Sequence, residues 1–154
     1  MRVRGATVSD AQAILALVNE YAEQDRMLFR PLADIYENLQ TFRVAEVNGS
    51  IVGCGALEVV WSDLAEIKSL AVAELHKGMG VGRALVEASV KQAKQLGVGR
   101  VFALTLDSGF FEKLGFERVD KSSLPMKVWS DCARCPKQNH CDETAVIKHL
   151  AREG

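Results

Sequence analysis

The sequence predicts an α/β fold in which a mixed, mostly antiparallel sheet carries helices on both faces. Three strand-like runs follow one another with only short turns between them, which predicts antiparallel neighbours. A strand, a helix and a further strand then alternate from Leu64 to Leu106, and such a crossover joins parallel strands. With 154 residues, 48% of them hydrophobic and 25% charged, the chain suits a single soluble domain.

The first half of the chain carries the signals of one strand, two helices and three further strands. Ser9 stands at the N-cap position of the first helix, because apolar residues recur at helical spacing from Ile14 to Tyr21. Pro31 favours the start of a second helix, and Asn48-Gly49 favours a hairpin turn. The predicted elements are a helix from Arg30 to Leu39 and strands from Arg2 to Thr7, Thr41 to Val47, Ile51 to Trp61 and Leu64 to Val72.

The second half continues this alternation as far as residue 121. Asp142 stands at the N-cap of a predicted last helix that carries Ala145, Val146 and Leu150. The other predicted elements are helices from Gly80 to Leu96 and from Gly109 to Leu114, and strands from Arg100 to Leu106 and from Phe116 to Val119. We therefore divide the single domain into a core of residues 1–121 and a cysteine-containing tail with a helix, residues 122–154.

The charge of the chain is nearly balanced, with a formal net charge of −1, which argues against a protein that coats nucleic acid. The longest apolar stretch, from Ile51 to Trp61, is short and contains Glu58, so we expect no membrane span. The N-terminus lacks the apolar core of a signal peptide, and we expect a cytoplasmic protein without nucleic-acid or membrane partners. Within this balance, residues 76–100 carry five basic residues against one acidic residue, a local charge of +4.

The most informative segment joins a predicted strand to a predicted helix and contains the alternating glycines Gly78, Gly80 and Gly82. Glycines let the backbone come close to a ligand, and the free amides at a helix N-terminus favour an anion. Lys77 and Arg83 add positive charge. The segment therefore predicts a cradle for a phosphate or pyrophosphate; the alternative is a surface turn with solvated basic residues.

Two common phosphate-binding motifs do not fit this segment. A P-loop ends in Gly-Lys followed by Ser or Thr, whereas Gly82 is followed by Arg83 and Ala84. A dinucleotide-binding fold places its glycines after the first strand, whereas here they follow the fourth predicted strand.

Two segments resemble the GNAT superfamily of acyl-CoA-dependent N-acyltransferases. Ala65 to Val72, followed by Lys77-Gly-Met-Gly-Val-Gly82, is similar to the central motif, with Lys77 in place of the usual Arg or Gln, and Phe110 to Phe116 resembles the later aromatic–Gly-Phe signature. The resemblance covers about residues 1–121. It implies the GNAT fold, with a sheet splayed between its central parallel strands, and acetyl-CoA as the co-substrate in the V between these strands.

The resemblance also implies which residues bind acetyl-CoA and move the proton. Pantetheine would pair with the backbone of Leu70 to Val72, the pyrophosphate would sit on Met79 to Arg83, and the N–H near Leu70 would polarise the thioester. Glu66 would act as the catalytic base, directly or through a water; otherwise it is a half-exposed strand carboxylate. The implied cofactor-binding set is Leu70, Ala71, Val72, Lys77, Gly78, Met79, Gly80, Val81, Gly82, Arg83 and Phe111.

Many members of the superfamily place a tyrosine near Phe111 to protonate the leaving thiolate. Phe110 and Phe111 cannot donate a proton, so this acid is missing or water supplies the proton. We interpret Tyr21 and Tyr36 as packing residues.

The region from Met27 to Arg43, together with Leu104 to Ser108, resembles the acetyltransferase domain of N-acetylglutamate synthases, particularly the short stand-alone forms. This resemblance implies acetyl transfer to the α-amine of glutamate, the first step of arginine biosynthesis, without the kinase-like regulatory domain of longer synthases. Arg30 is placed to bind one carboxylate of glutamate, with a surface residue ahead of a helix as the alternative. Lys68 shares the Glu66 face of its strand and could meet the second carboxylate or stabilise the charged base, with a salt bridge to a neighbouring acid as the alternative.

Other acceptors and another class of function stay open from the sequence. Glutamine, another small amine or a protein N-terminus could replace glutamate as the acceptor. A non-catalytic acetyl-CoA sensor is the alternative of another class, because the tyrosine acid is missing.

The tail contains three of the four cysteines, while Cys54 is a core thiol. A structural zinc ion, a disulfide and free thiols are the alternatives for this cluster, which comprises Cys132, Cys135, His140 and Cys141. The predicted last helix could pack on the sheet or on a second subunit of a homodimer.

Overall fold

The computed structural model describes residues 1–24, 30–124 and 143–150. The helices are α1 (Ala11–Glu23), α2 (Leu32–Glu37), α3 (Val81–Gln95) and α4 (Ser108–Glu112). The strands are β1 (Arg2–Gly5), β2 (Phe42–Val47), β3 (Ser50–Trp61), β4 (Leu64–Val72), β5 (Arg100–Thr105), β6 (Glu117–Val119) and β7 (Thr144–His149). Every element predicted for residues 1–121 is therefore confirmed, with shifts of a few residues at the ends.

The strands form a mixed sheet in the order β1-β2-β3-β4-β5-β7-β6. The pairs β1–β2 and β2–β3 are antiparallel, and β4 runs parallel to β5, as the crossover predicts. Asn48 and Gly49 both have positive φ, 51° and 81°, and form the predicted turn between β2 and β3.

One compact unit consists of Met1–Glu58 and Ile67–Gln92, and helices pack on both faces of its strands. Val44 on β2 is buried among apolar residues of α1 and α2. The next residue, Ala45, is buried with Val81 and Leu85 of α3. Because successive residues of a strand point to opposite faces, α1 and α2 cover one face and α3 covers the other.

Helix α3 approaches β3 closely at Gly53. A Cβ at this position would lie 2.7 Å from Val81 Cγ1 and 3.0 Å from Leu85 Cδ1. Both side chains belong to the first two turns of α3, so Gly53 sets how closely the start of this helix packs on the sheet.

The start of α1 is held by Asp10, and the predicted cap at Ser9 is wrong. The Asp10 carboxylate accepts a hydrogen bond from the Thr7 N–H at 2.7 Å and two from the Arg4 guanidinium at 2.7 and 3.0 Å. These bonds, that from Arg4 first, lower the pKa of Asp10 to about 2. The short 3₁₀ turn at Val8–Asp10 moves the helix start past Ser9, whose hydroxyl lies 3.0 Å from that of Thr7.

The other compact unit consists of Val59–Glu66 and Ala93–Gly154. In it β4 begins parallel to β5, from Leu64 opposite Arg100 to Glu66 opposite Phe102. Strand β7 pairs antiparallel with both β5 and β6. The core of this unit comprises Val60, Leu64, Phe102, Leu124, Ala145 and Ile147.

The helix predicted at the end of the chain is wrong, because Thr144–His149 form strand β7. Ala145, Val146 and Ile147 are all buried, as in a strand covered on two faces. The two β-branched residues favour a strand, and pairing with β5 and β6 overrides the helical spacing that ends at Leu150. The predicted cap Asp142 lies outside the described residues.

No helix among the described residues is long and apolar enough to cross a membrane.

Candidate active site

The glycine segment between β4 and α3 has the backbone of a ligand-binding loop. Gly78 and Gly80 have φ of 78° and 83°, the left-handed region that glycine adopts without strain. A Cβ at either position would meet nothing within 4 Å, so glycine is needed here for the backbone conformation and not because space is short. The Ala84 N–H donates to Gly80 O at 3.0 Å and makes the first hydrogen bond of the helix. The amides just before Ala84 therefore lie in the first helical turn, where the helix offers them no carbonyl acceptor. This arrangement fits a pyrophosphate.

The two basic residues of the loop are each paired with a nearby acid. Lys77 Nζ lies 2.8 Å from a Glu74 carboxylate oxygen and 5.0 Å from the centroid of the Tyr21 ring. Arg83 Nε lies 2.8 Å from Glu87, and both side chains are well exposed. The ammonium of Lys77 is therefore held against α1, whereas Arg83 can turn toward a ligand at little cost.

Strand β4 carries the predicted base and an unusual backbone conformation. Glu66 is buried, with 6% of its surface exposed, rather than half-exposed. Three residues later, Ser69 has a φ of 53°, a left-handed conformation that a residue other than glycine rarely adopts within a strand. Beyond Ser69, Leu70 and Val72 are half-buried and Ala71 is fully buried.

Lys68 lies on β4 between Glu66 and Ser69 and pairs with Glu58 of β3. Its Nζ is 3.1 Å from a Glu58 carboxylate oxygen, and the Lys68 and Glu58 side chains are 26% and 34% exposed. This ion pair is the salt bridge that the sequence left as the alternative for Lys68. A substrate-binding role for Lys68 stays a prediction.

Arg30 lies at the centre of a hydrogen-bonded group that also contains Asp34, Asn38 and Ser69, here called the Arg30 cluster. Arg30 Nε donates to Asp34 Oδ2, and Nη1 donates to Ser69 Oγ at 2.9 Å. The other Asp34 oxygen, Oδ1, accepts from Asn38 Nδ2 at 2.8 Å. The guanidinium carbon also lies 5.0 Å from the centroid of the Phe42 ring, and 18% of the Arg30 side chain is exposed. Arg30 is thus an ordered residue that links the start of α2 to β4, not a solvated surface residue.

Tyr21 of α1 reaches the end of β4 with its hydroxyl. The hydroxyl donates to Val72 O at 3.3 Å and accepts from the Val72 N–H at 3.1 Å. The interpretation of Tyr21 as a packing residue is therefore incomplete: its ring is buried, and its hydroxyl contacts the backbone predicted to meet pantetheine. Tyr36 is 43% exposed and is not a core packing residue.

Phe111, predicted to contact the cofactor, lies in the second unit on α4. Its ring is 3% exposed and makes edge-to-face contacts with Phe110 and Phe116, with centroids 5.1 and 5.2 Å away. Its contact with acetyl-CoA stays a prediction.

Sequence reasoning missed Ser69, Asp34 and the hydroxyl of Tyr21. The four-residue spacing of Arg30 and Asp34 is itself a sequence signal for their pair. Ser69 carries no such signal, because its conformation depends on partners far along the chain.

Among residues 1–24, 30–124 and 143–150, no group of three or more His, Cys, Asp or Glu side chains could hold a metal ion. The tail set proposed for zinc, Cys132, Cys135, His140 and Cys141, lies outside the described residues, as does the Met27–Phe29 part of the acceptor region. Cys54 is a buried free thiol, as predicted.

The sequence profile of the Acetyltransferase (GNAT) family matches residues 10–116. The chain belongs to this family. It is 43% identical to an uncharacterised N-acetyltransferase of Chlorobaculum tepidum over 148 residues, 96% of each chain. It is 40% identical to an amino-acid acetyltransferase of Mycobacterium tuberculosis over 135 residues, 86% of this chain and 77% of that protein.

Two solved structures extend this likeness to the fold. The M. tuberculosis protein Rv2747, in complex with CoA and NLQ, superposes with a TM-score of 0.86 at 34% identity, over 98% of this chain and all of that one. N-acetylglutamate synthase from Neisseria gonorrhoeae, complexed with coenzyme A and N-acetyl-glutamate, gives a TM-score of 0.89 at 27% identity. The alignment covers 98% of this chain but 35% of that synthase. The GNAT fold and the resemblance to the acetyltransferase domain of N-acetylglutamate synthases are thus confirmed.

Proposed function

We propose that this GNAT acetyltransferase moves the acetyl group of acetyl-CoA to the α-amine of glutamate, the first step of arginine biosynthesis. The observation that carries the proposal is the position of Arg30, whose guanidinium reaches Ser69, three residues beyond Glu66 on β4. A group that binds carboxylates thus lies close to the strand that carries the proposed base. The names of the M. tuberculosis amino-acid acetyltransferase and the N. gonorrhoeae synthase support an amino acid as the acceptor.

Acetyl transfer to an amine makes two chemical demands. The ammonium must lose a proton so that its nitrogen can attack the thioester carbonyl, and Glu66 takes that proton, directly or through a water. A C–N bond then forms, the C–S bond breaks, the nitrogen loses its second proton, and CoA leaves as a thiolate. Since Phe110 and Phe111 cannot donate, water carries this second proton to the thiolate.

Acetyl-CoA is held by backbone groups more than by side chains. The pyrophosphate binds at the left-handed glycines and the first turn of α3, next to Lys77 and Arg83. The pantetheine runs along Leu70 to Val72, where Tyr21 contacts the last of these residues. The fold supports this arrangement, because Gly53 lets the start of α3 pack directly on β3.

The acceptor carboxylate binds Arg30 on the donors that Asp34 and Ser69 leave available. A guanidinium has five N–H donors, of which the Arg30 cluster uses one on Nε and one on Nη1. Lys68 takes part in binding only if the acceptor carboxylate competes with Glu58. Glutamine, with one carboxylate, is the alternative acceptor.

A panel of amino acids with acetyl-CoA, with thiol release as the readout, tests this proposal. Glutamate should give the highest kcat/KM, and removing the α-amine should abolish turnover. If glutamine alone is acetylated, glutamine and not glutamate is the acceptor. If neither amino acid is acetylated, the proposal is wrong. Product analysis by mass spectrometry should find the acetyl group on the α-nitrogen.

A further inference from the structure

The left-handed conformation of Ser69 is held by two side chains from other parts of the first unit, Arg30 and Cys54. Arg30 Nη1 donates to the Ser69 hydroxyl at 2.9 Å, and Cys54 Sγ donates to the Ser69 carbonyl at 3.5 Å. Burial raises the pKa of the Cys54 thiol to about 12, so the thiol keeps the proton that this bond needs. Strained conformations of this kind persist only where the surroundings hold them in place, and they concentrate at functional sites.

Arg30 is held in place by contacts other than its bond to Ser69. Both oxygens of the Asp34 carboxylate are used, Oδ2 by Arg30 Nε and Oδ1 by Asn38 Nδ2. The Arg30 backbone N–H donates to Asn19 Oδ1 of α1 at 3.3 Å. The guanidinium also lies over the ring of Phe42, which is 1% exposed. A side chain with this many contacts can hold a neighbour in a strained conformation, whereas a mobile arginine cannot.

We propose that Asp34 is a positioning residue, which aligns Arg30 so that Arg30 keeps Ser69 left-handed and β4 presents the backbone after Ser69 to acetyl-CoA. The inference rests on the proposed seat of acetyl-CoA along Leu70 to Val72. Without the cluster, Ser69 relaxes toward the extended conformation, and binding of CoA must restore the left-handed one. The affinity for CoA then falls in proportion to the fraction of molecules in which Ser69 is still left-handed.

This arrangement links the two substrates through one guanidinium. Arg30 offers donors to the acceptor carboxylate on one side and holds the CoA-binding strand on the other. Loss of Asp34 should therefore weaken CoA binding even when no acceptor is present, which a purely acceptor-binding role of Arg30 does not explain.

The test is a calorimetric titration of the full chain with CoA, without acceptor, for a set of variants of Asp34 and Ser69. Asp34→Ala should weaken CoA binding about tenfold, the size expected when one strained residue relaxes. Asp34→Asn keeps an oxygen for Arg30 Nε and should recover most of the affinity. Asp63→Ala is the matched control, because Asp63 forms an ion pair with Arg100 outside this unit and should leave the affinity unchanged.

Substitutions of Ser69 separate its conformation from its hydroxyl. Ser69→Gly loses the hydroxyl but adopts positive φ freely, so it should bind CoA within about threefold of the wild type. Ser69→Ala loses the hydroxyl and keeps the strain, so its affinity should fall about tenfold. In the Ser69→Gly background, Asp34→Ala should have almost no further effect, because Asp34 acts through Ser69.

Two results would overturn the proposal: CoA affinity unchanged in Asp34→Ala, or an equal effect of Asp34→Ala with and without Ser69→Gly. If Asp34→Ala does not fold in a denaturant titration, the comparison of Ser69→Gly with Ser69→Ala decides alone, and equal affinities contradict the proposal. Since CoA binding needs no acceptor, these outcomes are independent of whether glutamate is acetylated.

Discussion

The glycine loop and the Arg30 cluster lie in the same unit but are built in different ways. The loop derives its shape from the backbone of neighbouring residues, with left-handed glycines at 78 and 80 directly before α3. The Arg30 cluster derives its shape from side chains, and its bond between Arg30 and Ser69 joins residues 39 positions apart. The proposed acetyl-CoA site is thus encoded locally, whereas the proposed acceptor site depends on the assembled fold.

If both regions only bind substrates, the rate of the chemical step should depend on Glu66, which belongs to neither region. Glu66→Gln should slow acetyl transfer at pH 7 about a hundredfold or more, because a general base contributes at least that factor. Calorimetry should give the wild-type affinity for CoA. Glu117→Gln, an exposed carboxylate on β6, is the control and should leave the rate unchanged. An unchanged rate in Glu66→Gln would remove Glu66 as the base.

The packing of α3 on the sheet, which supports the glycine loop, should also contribute to the stability of the protein. Gly53→Ala brings a methyl group within 2.7 Å of Val81 at the start of α3 and should lower the free energy of unfolding by about 2 kcal/mol. Gly5→Ala is the control, because a Cβ there meets nothing within 4 Å. Urea titration measures both, and equal stabilities would show that α3 can shift without loss.

Within the loop itself, the conformation of glycine should matter more than its size. Gly80→Ala places a side chain on a residue with φ of 83° and should weaken CoA binding about tenfold. Gly99→Ala has open space and no positive φ, and it should bind CoA as the wild type does. A tight complex with Gly80→Ala would mean that CoA does not require the left-handed backbone.

The smallest effect is expected at Tyr21, which contacts Lys77 beside the glycine loop and Val72 at the end of β4. Tyr21→Phe keeps the ring beneath Lys77 but removes the hydroxyl that bonds to both backbone groups of Val72. The loss should be about 1 kcal/mol of unfolding free energy, the lower end of what two lost hydrogen bonds cost. Thermal unfolding measures the change, and a loss above about 3 kcal/mol would point to a larger rearrangement than the loss of these two bonds.

The contrast between the two regions also explains what the sequence could predict. Local signals sufficed for the turn at Asn48-Gly49, for the helix after Gly80 and for the strand–loop–helix order that predicts a phosphate or pyrophosphate cradle. That Arg30 binds a carboxylate stays a prediction. Its bond to Ser69 could not be predicted from the sequence, because no pattern near either residue reports a contact across 39 positions.

The incorrect helix has the same physical origin. Ala145, Val146 and Leu150 fit a helical face, and nothing close to them shows that the edges of β5 and β6 need a partner. Pairing with distant strands decided the structure of residues 144–149, as tertiary context often does for short segments. The cap of α1 lies at Asp10 for a more local reason, since the Asp10 carboxylate binds both the Thr7 N–H and the Arg4 guanidinium, whereas the Ser9 hydroxyl contacts only that of Thr7.

Strand β7 also sets the order in which this protein can acquire its structure during synthesis. β5 and β6 are translated before β7, which lies between them in the sheet and begins at Thr144, about 25 residues after the end of β6. Until then both edges offer unpaired backbone groups, which are templates for pairing with other chains. The second unit can therefore complete its sheet only when its last strand has left the ribosome, and a nascent chain that pauses before Thr144 exposes an edge prone to aggregation.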